Sequence, residues 1–165
     1  MFLYAEGHPN AFGAGILEEN LSSFIEYSNN VLKDFDFTPC YLVDFIYSNN
    51  NLKTSDVLEI ASLKNTWGQG VDESLVAIEN ISISADNIRL MAADKNPTLK
   101  ITLPNGISLI KFKSSIKEYE SLNKQNGRVI INVIGKCECN IWNSRISPQL
   151  IIEDYEIISC LDYYF

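Results

Sequence analysis

The single histidine of the chain lies in a glycine-rich segment near its start. Gly7 precedes His8, Gly13 follows five residues later, and an apolar run begins at Leu17. Bare glycine N–H groups and a helix N-terminus both favour an anion, so the pattern predicts a mobile loop whose Gly7, His8 and Gly13 contact a phosphate. Protonation of the imidazole would strengthen its donation to a phosphate oxygen. The other interpretation is a loop histidine that hydrogen-bonds locally.

Residue combinations for catalysis are scarce elsewhere in the sequence. A Ser-His-Asp triad or a Cys-His dyad would have to use His8, and no nucleophile elbow accompanies this histidine. The sequence also contains no Walker loop and no Asp/His cluster at metal-ligand spacing. The pairs Glu18-Glu19 and Glu153-Asp154 are adjacent in sequence, so neither makes a shared carboxylate site on a helix or strand. We expect no catalytic residue, no metal ligand and no bound cofactor within this chain.

Lysines alternate with apolar residues in the second half of the chain. Over residues 98–103 the alternation predicts that Lys100 lies on the exposed face. On the next strand we expect Ile110 and Phe112 to point inward, which leaves Lys111 and Lys113 beside Lys100 on the exposed face of the hairpin.

A later strand repeats the arrangement and adds an aromatic ring. Lys136, Asn140 and Trp142 share one face of the segment 129–142. A lysine-bearing sheet with an aromatic side chain suits a single-stranded nucleic acid, because lysines bind the backbone and a ring stacks on bases. The other interpretation is that the lysines solvate a barrel exterior and that Trp142 packs under a loop.

The charge is distributed unevenly. The net charge is −8, yet residues 1–73 hold 11 acidic and 3 basic side chains whereas residues 74–165 hold ten of each. A neutral second half can present a basic face, so nucleic-acid binding is compatible with the acidic total. The four cysteines lack the spacing of a disulfide framework or zinc site, and no signal peptide or membrane-length segment is present. We therefore expect a cytoplasmic protein with reduced thiols and no membrane partner.

The elements that must position these residues change character after residue 70. The sequence predicts a helix over 17–34, a strand over 41–47, a short helix ending at 63 and a loop over 66–70. Strands are then expected over 75–82, 88–92, 98–103, 107–113, 129–142 and 150–158, with a helix over 114–122. The predicted class is α+β: a small helix-strand-helix part (residues 1–70), followed by a five- to six-stranded β-barrel of oligonucleotide-binding (OB) type (residues 71–165).

Several of these segments resemble a known family. Residues 7–13, Gly-His-Pro-Asn-Ala-Phe-Gly, are similar to the Gly-Gly-His-x-x-Ala-Ala-Gly signature of RecJ, the bacterial single-strand-specific 5′→3′ DNA exonuclease of the DHH phosphoesterase superfamily. Residues 67–70, Trp-Gly-Gln-Gly, resemble the family's Pro-Phe-Gly-x-Gly-Asn segment before its OB barrel. Asn140-x-Trp142 and Arg145-x-x-Pro148-Gln149-Leu150 resemble the last hairpin of that barrel. Glu6 and Phe12 depart from the signature, at a glycine and an alanine respectively.

The resemblance implies a function and a set of partners. It implies the end of the DHH-associated domain followed by a barrel that binds single-stranded DNA, with Arg145 added to the expected DNA contacts. His8 would contact the scissile phosphate or its neighbour, and the Mn or Mg ions of the parent enzyme would be held by an upstream DHH domain. Further implied partners are single-strand-binding or repair proteins, in DNA repair and recombination.

Two other functions stay open at this point. The barrel could be an interaction module that docks replication or repair proteins without touching DNA, which the acidic first half favours. A third function is an enzyme acting on a small phosphodiester, which the barrel makes less favourable. Salt dependence separates the first two, because binding through several lysines weakens steeply with ionic strength.

Overall fold

The computed structural model describes residues 2–8, 11–38, 40–49, 51–123 and 127–162. The chain divides into two compact units, Met1–Tyr41 and Leu42–Phe165. The division therefore falls earlier than the boundary at residue 70 that the sequence predicts, and each unit is described by itself.

The first unit consists of a β-hairpin and a helix. Strand β1 (Phe2–His8) pairs antiparallel with β2 (Ala11–Ile16), and a 3₁₀ turn (Glu18–Asn20) leads into helix α1 (Leu21–Leu32). The predicted helix over 17–34 is confirmed in its position. No side chain of α1 is buried, although the helix carries an apolar stripe, so this unit has little core of its own.

The second unit contains seven strands and two α-helices among the described residues. Its elements are β3 (Phe45–Ser48), α2 (Thr54–Ser62), β4 (Val76–Ser84), β5 (Ile88–Met91), β6 (Thr98–Thr102), β7 (Ser108–Lys111), α3 (Ile116–Leu122), β8 (Gly127–Trp142) and β9 (Arg145–Asp162). They form one sheet in the order β3-β4-β8-β9-β7-β6-β5. The α+β class is confirmed, and the sheet exceeds the predicted five to six strands because β3 adds to it in parallel with β4.

The core of this unit follows directly from the strand register. One row of paired residues runs across five strands, and directly paired residues share a face of the sheet. All its members are at most 4% exposed: Ile88, Ile101, Leu109, Leu150 and Cys137. Residues of β4 belong to the same buried cluster, so the sheet surrounds a single core.

Helix α2 belongs to this core, which corrects the predicted domain boundary. Val57 and Ile60 are buried, and the preceding Leu52 is 1% exposed. Asn105, in the turn between β6 and β7, donates from Nδ2 to the Leu52 carbonyl at 2.7 Å. The boundary predicted at residue 70 puts residues 52–62 in the first domain because their helical period differs from that of the strands that follow, but their apolar face packs on those strands.

The turn between β6 and β7 confirms the predicted hairpin. The Gly106 N–H donates to the Leu103 carbonyl at 2.9 Å, and the Leu103 N–H donates to the Ile107 carbonyl at 2.9 Å. Gly106 alone in this turn has a positive φ, at 86°, as in a three-residue loop that ends with a glycine bulge. The turn is therefore one residue longer than a two-residue Asn-Gly turn.

Among the residues that the model describes, no helix has the length and apolar character needed to cross a membrane.

Candidate nucleic-acid interface

A groove crosses the outer face of the sheet, on the side opposite the core. It has a volume of about 600 Å³ and is built by β5, β6, β7, β8 and β9 together with the turn at Gly106. None of its lining residues is acidic; they are Met91, Thr98, Lys100, Thr102, Gly106, Ser108, Ile110, Phe112, Asn140, Ser147, Pro148 and Gln149. In a chain of net charge −8, a groove lined by one cation, amides, hydroxyls and apolar groups is suited to an anionic or neutral polar ligand.

The register gives the groove a second cation at its edge. Lys100 pairs with Arg89 on one side and with Ile110 on the other, so the three side chains share the outer face. Arg89 is exposed and was not identified in the sequence. The sequence does contain a pattern that predicts its position: Ile88 and Leu90 flank Arg89, and this alternation is typical of a half-buried strand with Arg89 on its exposed face.

Lys111 lies on the other face, which corrects the predicted cluster of three lysines. It pairs with Leu99, a fully buried residue, whereas Ile110 and the exposed Phe112 line the groove. The prediction had the two faces of β7 reversed. Lys113 lies beyond the end of β7, is exposed and has a positive φ of 54°, so strand alternation does not extend to it.

Lys111 is held by side chains that pack on the core side. Its Nζ lies 2.8 Å from Glu118 Oε1 at the start of α3, and 6.0 Å from the centre of the Tyr155 ring. Burial acts to raise the pKa of Glu118, but hydrogen bonds from Lys111 and from Ser115 outweigh it and lower the pKa below its ordinary value. This lysine therefore serves the attachment of α3 and not the groove.

We expect Glu118→Gln to make the protein less stable at pH 7 by about 0.5–1 kcal/mol, the range for a partly exposed ion pair. Because the pKa of Glu118 is lower in the folded state, its stabilisation is present above the ordinary value of 4.5 and is lost as the pH falls below it. Urea unfolding at pH 7 and pH 3.5 should show a smaller acid-induced loss for the variant than for the wild type. Glu120→Gln, at an exposed position of the same helix, is the control, and an equal loss in all three proteins would contradict the assignment.

Lys136 shares the outer face with Asn140 and Trp142, as predicted, but it is engaged in ion pairs. The unbroken pairing of residues 136–142 with β9 places the three on one face. Lys136 Nζ lies 3.2 Å from Glu153 Oε1 and 3.3 Å from Glu73 Oε2, and the hydrogen bond to Glu153 is the main cause of its raised pKa. Two carboxylates thus compete with any phosphate for this lysine.

The end of the β8–β9 hairpin projects from the sheet as a two-stranded ribbon. Every residue from 139 to 147 is exposed, and the tip turns through Asn143 and Ser144, both with positive φ, as in a type I′ turn. Trp142, 74% exposed, pairs with Arg145 across the tip. Asn140 and Ser147 pair two rungs further along, on the same face, and line the groove, so the predicted Asn140, Trp142 and Arg145 are brought together.

The glycine-rich segment around His8 is a β-hairpin and not the predicted loop. The backbone of His8 pairs with Ala11, Gly7 with Phe12, and Gly13 with Glu6. Strand β2 therefore lies between the histidine and helix α1, so the helix N-terminus does not follow the glycines directly. The side chain of His8 lies outside the described part of the structure, as do Pro9 and Asn10. Glycine is uncommon in strands, so the glycine-rich sequence around His8 predicts a loop although the segment forms a hairpin.

The other ionisable groups offer no reactive centre among the described residues. All four cysteines are free thiols, and burial raises the pKa of Cys137 to about 12. Within the described ranges no three His, Cys, Asp or Glu side chains cluster as metal ligands.

A second cavity, of about 230 Å³, lies between β3 and α2. It is lined by Asp56 and Glu59 with four apolar or aromatic residues, and its carboxylates disfavour phosphate.

The fold and the groove together define a small OB-type β-domain with a candidate strand-binding face. Residues 43–154 match the family model of the RecJ OB domain, and the chain belongs to this family. Its resemblance to RecJ, inferred from the motifs, is thereby confirmed.

Similarity to individual proteins extends beyond the OB domain. The chain is 31% identical over 159 residues to a protein named "Putative SPbeta prophage-derived single-strand DNA-specific exonuclease YorK" from Bacillus subtilis (strain 168); the match covers 96% of this chain and 27% of that protein. It is 28% identical over 158 residues to the single-stranded-DNA-specific exonuclease RecJ of the same organism, with 90% of this chain and 19% of RecJ covered.

Solved structures support the fold. RecJ of Thermus thermophilus, in its complex with Mn²⁺, superposes with a TM-score of 0.61 at 17% identity, covering 98% of this chain and 23% of that one. The same protein has also been solved with Mg²⁺. The chain thus spans about a quarter of the length of the relatives it matches.

Proposed function

We propose that this chain is the single-stranded-DNA-binding region of a RecJ-like 5′→3′ exonuclease in the cytoplasm. The observation that carries the proposal is the carboxylate-free groove on the outer face of the OB-type sheet, with Lys100 inside it and Arg89 at its edge. The motif resemblance and the names of the matched relatives support the same substrate.

The groove offers both kinds of contact that a single strand needs. Lys100, Arg89 and Arg145 would bind phosphates, and the exposed rings of Phe112 and Trp142 would stack on bases. Asn140 and Gln149 add amides, although Gln149 also donates to Glu138 Oε2 at 3.1 Å. The predicted contacts Lys111 and Lys136 are secondary in this proposal because Lys111 is already paired with one carboxylate and Lys136 with two.

Hydrolysis belongs to the remainder of the proposed parent enzyme. Two Mn or Mg ions held in a DHH domain would activate the attacking water there, whereas this chain holds and delivers the strand. The predicted phosphate contacts Gly7, His8 and Gly13 remain part of the proposal. The β1–β2 register sets Gly7 and Gly13 on neighbouring rungs, where a phosphate could reach the backbone.

Fluorescence anisotropy with labelled single-stranded DNA tests this function. If three cations contact phosphates, log K should fall with log[salt] with a slope of about −2, since each contact with a single strand contributes about −0.7. Lys111→Ala should keep that slope. An absence of binding at low salt would contradict the proposal and favour the protein-docking alternative.

A further inference from the structure

The ribbon formed by residues 139–147 extends beyond the groove and exposes a second, apolar face. Ile141 pairs with Ile146 on that face, and they are 67% and 62% exposed. Exposed isoleucines that face each other across a two-stranded ribbon, with Trp142 at its tip, form an apolar wedge.

The charge of the ribbon indicates its partner. From Cys139 to Ile152 the sequence contains no acidic residue, and Arg145 is its one charged side chain, in a chain with 21 acidic residues. The lower part of the ribbon, at Asn140 and Ser147, is also a wall of the groove. A DNA strand lying in the groove would therefore meet the ribbon at the point where the strand leaves the groove. The single positive charge of the ribbon, with no carboxylate, is complementary to the negative charge of DNA.

We propose that the ribbon is a wedge that recognises the junction between single-stranded and double-stranded DNA. This inference rests on the proposed function, since the groove must hold the single strand. Ile141 and Ile146 pack on the exposed face of the first base pair of the duplex, and a single strand offers no such base pair. Trp142 stacks on the base that has just unpaired. Proteins insert apolar side chains of this kind between base steps, and the cost of unstacking is offset by the larger protein surface that the deformed DNA then touches.

The test compares three DNAs with the full 165-residue chain: a single strand, a blunt duplex, and a duplex that carries the same single strand as a tail. Anisotropy gives the affinities, and 2-aminopurine in the first base pair of the tailed duplex reports unstacking. We expect the tailed duplex to bind about tenfold more tightly than the single strand, which corresponds to about 1.4 kcal/mol, and the 2-aminopurine fluorescence to rise on binding.

The variant Ile141→Ser/Ile146→Ser separates the wedge from the groove. This variant should bind the single strand as tightly as the wild type does. It should lose the tenfold preference for the tailed duplex and the rise in 2-aminopurine fluorescence. Ile158→Ser, an exposed isoleucine on the same strand outside the ribbon, should behave as the wild type.

The outcomes distinguish the two proposals. Failure of the wild type to bind the single strand would overturn the proposed function, and the wedge with it. Equal affinity for single strand and tailed duplex would overturn the wedge alone. Sedimentation showing a dimer that the double serine variant abolishes would also overturn it, because the apolar face would then be covered by a second copy.

Discussion

Replacing Lys100 and Phe112 together by alanine is expected to weaken single-stranded DNA binding by about one hundredfold. Stacking of one base on an aromatic ring contributes about 1–3 kcal/mol, and loss of a phosphate contact adds to it. Lys100 is half-buried in the groove and Phe112 is 56% exposed at its wall, so neither substitution disturbs the core. Anisotropy titrations at two salt concentrations would measure the loss, with the salt slope becoming shallower by about 0.7.

A matched control is provided by the next element of the chain. Ile116 is as exposed as Phe112, at 56%, and Lys117 beside it on α3 is exposed as well. Ile116→Ala/Lys117→Ala removes an equally exposed large apolar side chain and a lysine outside the groove, and should change the affinity less than threefold. Similar losses in both double variants would show that the strand lies elsewhere or that binding reflects overall charge.

Gly135→Ala should have the largest effect on stability, a decrease of about 3 kcal/mol in the free energy of unfolding, at the upper end for overpacking. A Cβ atom at this position would lie 2.3 Å from the carbonyl oxygen of Ile151, which is backbone of the central strand β9 and has little freedom to move. The pairing of β8 with β9 shifts register between Ile134 and Gly135, so the close approach belongs to a β-bulge. Urea unfolding would measure the decrease.

Gly68→Ala is the control for that substitution. A Cβ at Gly68 would meet no atom within 4 Å, so its stability should change by less than about 0.5 kcal/mol. If Gly135→Ala unfolded at the same urea concentration as the control, the tight contact between β8 and β9 would be excluded.

The sequence predicts which residues of a strand face the core, the phase of the strand, where polar and apolar residues alternate strictly. Over β6, Leu99 and Ile101 are buried and Lys100 lies on the outer face, as predicted. Over β7, Leu109 and Ile110 are adjacent and both buried, so two phases fit the sequence equally well. A shift of one residue moves every side chain to the other face, which is why the sequence predicts Lys111 beside Lys100 on the exposed face of the hairpin.

The partners of the lysines were beyond what the sequence could predict. The carboxylates that bind Lys136 come from Glu73, before β4, and Glu153, on β9. Such pairs depend on which strands become neighbours, and the order of the sheet is not contained in local patterns. The strand pattern predicted the OB-type fold, and the lysine pattern predicted a single-stranded nucleic acid as partner. The family resemblance added the exonuclease class, whereas the faces and ion pairs required coordinates.

The position of β9 has a consequence for how the second unit is made. This strand lies between β8 and β7 and joins two groups, β3-β4-β8 on one side and β7-β6-β5 on the other. It is also synthesised after every strand that it joins, and its parallel pairing with β7 links residues about 40 positions apart. Until β9 has joined the sheet, its other strands therefore form two separate halves with unpaired edges.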